Sequence, residues 1–253
     1  MKFDYYSCFL CSMKPPLFRL YSLMMIKNGH LSHFVQPLGK DLELKKAKII
    51  LLIGDSGCGK TSLLKAIAGF TDLADGEIIF DNEHVAMLLQ NPFNQIIMQK
   101  VCDELYFPMK NAGIDTAEAE NEIKLICEKL NITHLLNRDI STLSFGETQL
   151  VMIAATCLTP ADILLMDEPT SHLDPPFIKL FYALMKDMAT KGMSICISSQ
   201  SPDEYIFADE IWVMEKGSIR EVLYSDKCPE ALIKAGIQLD SDLILKKMEG
   251  FKK

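Results

Sequence analysis

The chain has 253 residues, 49% hydrophobic and 24% charged, which is enough apolar material for one large domain or two small lobes and unlike a disordered protein. A formal net charge of −8 without a dense Lys/Arg cluster argues against extended contact with a nucleic-acid backbone, which needs a concentrated basic face. No apolar run reaches the roughly 18 residues that span a bilayer, so any work at a membrane falls to partners.

Residues 1–23 are fairly apolar, but Lys14, Pro15, Pro16 and Arg19 interrupt them and no small-residue cleavage site follows, so an irregular extension over about 1–25 is expected rather than a secretory leader. Met24 and Met25 leave open a later natural start. Cys8 and Cys11 form a CxxC without a second pair, and the eight cysteines read as reduced thiols rather than a zinc site.

The run KIILLI at 48–53 is apolar and rich in β-branched residues, and it feeds into Gly54, Asp55, Ser56, Gly57, Cys58, Gly59, Lys60, Thr61 and Ser62. Strand, tight loop and helix in that order fit GxxxxGK[ST]: glycines let successive N–H groups face one anion, and the helix adds the positive end of its dipole. Lys60 then reaches the β and γ phosphates as a point charge, and the Thr61 hydroxyl can ligate Mg²⁺. The helix is expected to bury Leu63, Leu64, Ile67 and Ala68 and to stop at Gly69. Cys58, at the helix N-terminus, reads as a small filler whose thiol pKa that position can lower.

Residues 76–80 and 85–89 read as strands, and from Gln90 the chain turns helical, so 92–158 is expected to form an inserted helical lobe. Within it Ala119, Ile123, Ile126 and Leu130 define one buried stripe, with Asp115 as N-cap and Glu118 three residues on. Alternation resumes with a strand at 162–167, a helix at 175–188 capped by Asp174 with Pro175 at its first position, and a strand at 193–198. Strands at 210–215 and 218–223 around Lys216 and Gly217 form a closing hairpin, and 229–253 is read as a helical tail. The fold class is therefore α/β, a P-loop NTPase with a mainly parallel sheet, antiparallel β elements and a helical lobe.

The strand ILLM ends in Asp167 and Glu168 at the sheet edge that emits the phosphate loop, so one ligand can meet both. Asp167 is expected to hold Mg²⁺, and Glu168 to orient or deprotonate the water attacking the γ phosphate.

At this point the sequence resembles the ATPase subunits of ABC transporters: LLMDEPTSHLD matches their Walker B and D-loop, and LSFGE, 143–147, sits where their signature belongs. The resemblance covers about 26–253. The segments QNPFNQ (90–95), DELYFPMKNAGI (103–114) and EVLYSDKCPEALIKAGIQL (221–239) are similar to the energy-coupling factor branch, which imports vitamins and metal ions. It implies ATP and Mg²⁺ as ligands, Gln90 as the Q-loop glutamine and a Mg²⁺ ligand, and Ser144 with the Gly146 N–H gripping the γ phosphate of a partner subunit's ATP. Asp174 would touch that partner, His172 would face the interface, and Phe34, with His33 behind it, is the candidate for stacking on adenine.

Three positions depart from the family pattern. Phe145 replaces a glycine and Glu147 a glutamine in the signature, bringing bulk and negative charge toward a polyphosphate. Gln200 stands where the family has its switch histidine; an amide donates a hydrogen bond but carries no proton or charge. The resemblance implies a peripheral subunit on the inner face of the cell membrane, paired in an asymmetric heterodimer with a second ATPase beneath a membrane scaffold and a substrate-binding component. The alternatives are a catalytically weak, ATP-dependent dimerisation clamp and the ATPase of another ABC transporter.

Overall fold

All five residues of Ile49–Ile53 are buried, as expected of a strand covered on both faces, which reads as a continuous apolar run instead of an alternating one. The computed structural model describes residues 22–80 and 83–224. Their elements in chain order are β1 (Ser22–Leu31), β2 (Leu42–Lys45), β3 (Ile49–Ile53), α1 (Lys60–Ile67), β4 (Leu73–Phe80), β5 (Val85–Leu88), α2 (Val101–Asn111), α3 (Thr116–Leu130), α4 (Phe145–Leu158), β6 (Ile163–Asp167), α5 (Pro175–Thr190), β7 (Ser194–Ser199), β8 (Glu210–Glu215) and β9 (Ser218–Tyr224).

Six strands form the main sheet in the order β5-β6-β7-β3-β8-β9. The first five run parallel, and β9 closes the edge antiparallel to β8 through the turn at Lys216 and Gly217, both at positive φ. A second, three-stranded antiparallel sheet has the order β2-β1-β4. Sequence reasoning missed β1 and β2. β1 also begins at Ser22, so the strand layer starts inside the stretch 1–25 assigned to an extension. The CxxC and the helical tail at 229–253 lie outside the described residues.

Strand alternation divides the core in two. Ile49, Leu51 and Ile53 pack with Leu164, Met166, Ile195 and Ile197 on the face covered by α2 to α5. Ile50 and Leu52 pack with Ile163, Leu165, Cys196 and Trp212 on the face covered by α1 and the small sheet. The stretch 92–158 contains α2, α3 and α4; α4 is buried over most of its length, because it packs on the sheet as well as on α2 and α3.

Local signals hold with small differences. In α3 the stripe of Ala119, Ile123, Ile126 and Leu130 is buried, and Asp115 accepts from the Ala117 N–H. In α1 the buried residues include Ala66 instead of Ala68, and Gly69 follows at φ 76°, as a left-handed stop requires. Asp174 occupies the N-cap of α5, but its side chain makes no capping hydrogen bond; Pro176 at the second helical position removes one of the donors it would have served.

Ile197 is fully buried on the central strand β7. Ile197→Ala is expected to lower stability by about 2–5 kcal/mol, read from the midpoint of a denaturant unfolding curve.

Candidate nucleotide site

The phosphate loop is held so tightly that two of its glycines have no room for a side chain. A Cβ on Gly54 would lie 2.2 Å from the Met214 carbonyl oxygen, and one on Gly59, at φ 114°, would meet the Phe34 ring at 3.0 Å. Gly59 caps α1 with no side-chain acceptor, so the first N–H groups of that helix stay available to an anion. Lys60 is buried, and its Nζ donates to the carbonyls of Gly54 (2.7 Å) and Asp55 (3.1 Å), which bends the ammonium back over the loop.

Asp167 ends β6 fully buried between two hydroxyls. Thr61 Oγ1 donates to Oδ2 at 2.7 Å, and Ser198 Oγ donates to Oδ1 at 2.6 Å. Thr61 and Asp167, each expected to hold Mg²⁺, are thus hydrogen-bonded directly to one another. These are hard oxygen donors beside a phosphate loop, which suits Mg²⁺ with retained waters better than a softer metal. No group of three His, Cys, Asp or Glu clusters for a metal among the described residues.

Glu168 leaves the strand at φ 50°, a left-handed conformation unusual for a residue with a side chain. Successive strand residues point to opposite faces, so this departure lets the Glu168 carboxylate join Asp167 on the side of the loop. There it is held on three sides. Gln200 Nε2 donates to Oε1 at 2.7 Å, Gln90 Nε2 donates to Oε2 at 3.3 Å, and Lys60 Nζ lies 4.0 Å from Oε1. Gln200 thus engages the carboxylate itself. Gln95 was quoted in the sequence only as part of a motif, yet its side chain accepts from the Leu89 N–H and donates to the Met87 carbonyl, fastening the loop that presents Gln90.

Ser144, Phe145, Gly146 and Glu147 form a different cluster at the start of α4. Ser144 and Glu147 make a complete capping box: Ser144 Oγ accepts from the Glu147 N–H, and Glu147 Oε2 accepts from the Ser144 N–H at 2.7 Å. The backbone donor at Ser144, with help from Arg138 at 3.6 Å, holds the Glu147 carboxyl below its usual range. One of its oxygens is thus turned back onto the backbone of its own helix. Phe145 packs edge-on against Phe93 and His172, with centroids 5.6 and 4.3 Å away, so the His172 ring sits on Phe145 of its own chain. Gly146 fits closely under the His172 carbonyl, 3.3 Å from a would-be Cβ.

A cavity of about 510 Å³ opens beside the loop, lined by His33, Phe34, Val35, Asp55, Ser56, Gly57, Cys58, Met214 and Lys216 among others. Phe34 lines this cavity with its ring packed closely on the backbone of Gly217, and Val35 stands 96% exposed beside it. Cys58 is buried there, and burial pushes its thiol pKa up despite the nearby Lys60. The lowered pKa expected from the helix N-terminus is not found.

The ABC transporter family profile matches residues 39–171. A Bacillus subtilis protein named as an HMP/thiamine import ATP-binding protein, YkoD, is 35% identical over 67% of this chain and 35% of its own length. A Treponema denticola protein named as an ABC transporter ATP-binding protein is 32% identical over 70% of this chain and 40% of its own. The chain thus spans about two fifths or less of these relatives. Among solved structures, cbiO1 from Clostridium perfringens, described as part of the ABC transporter complex cbiONQ, superposes with a TM-score of 0.72 at 22% identity over 90% of this chain and 99% of that one. That likeness concerns the fold.

Because burial both shields the Cys58 thiol and raises its pKa, iodoacetamide near pH 7.5 is expected to label the half-buried Cys102 before Cys58; peptide mass spectrometry reads both rates.

Proposed function

Because the chain belongs to the ABC transporter family, we propose that it binds and hydrolyses ATP to energise a micronutrient importer of the energy-coupling factor type, as one half of an asymmetric ATPase heterodimer. It would act on the inner face of the membrane beneath a multi-span scaffold and a substrate-binding component. The observation that carries the hydrolytic part is Glu168, a buried carboxylate fixed by Gln200, Gln90 and Lys60 next to the Thr61–Asp167 pair. A protein that only clamped ATP would not need that carboxylate. The importer part is supported by the QNPFNQ segment, by the thiamine-import name of the Bacillus relative and by the likeness to cbiO1. No helix among the described residues is long and apolar enough to cross a membrane, which fits a chain that relies on partners for that.

In this reading the N–H groups opening α1 and the Lys60 ammonium receive the phosphates, with Phe34 at the base. Thr61, Asp167 and Gln90 would hold Mg²⁺, which when bound neutralises charge on the β and γ oxygens. Glu168 accepts the proton of, or orients, the attacking water, and Gln200 and Gln90 keep its two oxygens in place. Asp174 and the signature face serve a partner's site. The heterodimer rests on the departures at Phe145 and Gln200: in a homodimer both would recur in each site, whereas a second, different ATPase confines each to one.

Purification from native membranes is expected to recover a second ATPase and a multi-span protein; recovery of soluble partners alone, or a stable, fast-hydrolysing homodimer, would count against the assignment. In the recovered complex, Glu168→Gln is expected to abolish single-turnover hydrolysis while ATP still binds. Gln200→Ala is expected to slow turnover about a hundredfold, or about 3 kcal/mol, the usual loss for one fixed donor in an enclosed site.

A further inference from the structure

Ser198 is an uncharged residue in an apolar strand, yet both acids of the site converge on it. It is fully buried and sits directly opposite Asp167 in the β6–β7 register. Its hydroxyl donates to Asp167 Oδ1 at 2.6 Å and accepts from the Glu168 N–H at 2.9 Å. The same N–H also reaches the Ser198 carbonyl at 3.2 Å. One hydroxyl therefore fixes the rotation of the first carboxylate and ties down the backbone of the second. That second attachment falls on a residue at φ 50°, a conformation that persists only where its surroundings over-determine it.

Resting on the nucleotide-site reading above, we infer that Ser198 is a positioning residue: it turns Asp167 so that Oδ2 faces Thr61 and the metal, and it holds Glu168 in the left-handed turn that carries its carboxylate to the attacking water. A hydroxyl is required because one atom must donate and accept at once. Alanine can do neither, and a thiol is a weak substitute in the same space.

Binding of ATP to the full-length chain, measured by titration in EDTA and in Mg²⁺, tests this without calling on turnover. In Ser198→Ala and in Ser198→Cys, the affinity gained on adding Mg²⁺ is expected to fall about tenfold or more, while affinity in EDTA stays within about twofold of the parent, as for other residues that orient a metal ligand. Ser198→Cys leaves no cavity, so the difference between its melting temperature and that of Ser198→Ala separates cavity formation, which only alanine brings, from the weakened hydrogen bonds common to both. A parental Mg²⁺ gain in both variants overturns the inference, and so does an equal loss in EDTA and in Mg²⁺. If the parent complex proves unable to hydrolyse ATP, the proposed function fails, but the titration still decides the role of Ser198.

Discussion

The parallel register of β6, β7 and β3 is the constraint on which the site depends. Ile53 pairs with Ser199 and Asp167 with Ser198, so the phosphate loop, the acid pair and the segment bearing Gln200 all leave the sheet at one level. β7 separates the other two strands, putting the loop and the acids two strand spacings apart, about 9–10 Å. Side chains close that gap: Thr61 reaches Asp167, and Lys60 approaches Glu168. A slip of one residue in any of the three strands would send every side chain of that strand to the opposite face and separate these groups. The two apolar cores prevent it, because each accepts only one set of alternating residues.

The same edge concentrates charge where water is scarce. Lys60, Asp167 and Glu168 are all buried, and a buried charge is tolerated only when its hydrogen-bonding capacity is met. Different chemistry meets each need. Two hydroxyls serve Asp167, two amides and an ammonium serve Glu168, and loop carbonyls serve Lys60. The hydroxyls of Thr61 and Ser198 and the amides of Gln90 and Gln200 that donate to the carboxylates are uncharged groups.

Most of this was legible in the sequence where local signals are strong. The run KIILLI, the glycine-rich loop and the strand ending in Asp167 and Glu168 announce themselves by composition and spacing, and the stripe of α3 by its period. β1 and β2 were missed because Ser22–Leu31 mixes charged, polar and Gly residues with its apolar ones, and its pairing partners lie at Leu42–Lys45 and Leu73–Phe80, which no local pattern reveals. Ser198 was quoted only as part of a strand: a small polar residue there has no signature until the register sets it against Asp167. Cys58 was misjudged for a related reason. A helix N-terminus lowers a thiol's pKa, but burial beneath the loop outweighs it, and burial is a tertiary fact.

The departures in the signature separate once the geometry is known. Negative charge at Glu147 is engaged by the capping box and by Arg138, which makes it a stabilising feature of α4. Phe145 differs, because no such contact hides it. Its ring is 37% exposed and wedged between Phe93, just after Gln90, and His172, just before Asp174. Swinging it aside would give up both edge-on contacts, each worth about 0.5–1.5 kcal/mol beyond burial. Bulk therefore distinguishes the face this chain would offer a partner's ATP in the proposed arrangement, and the aromatic contacts tie that face to the Gln90 loop and the turn after Glu168. In the proposed heterodimer the site built on Lys60 and Glu168 works with the uncharged Gln200 donor where the family has a histidine, while the site that borrows this signature must accommodate an aromatic ring where the family has only hydrogen.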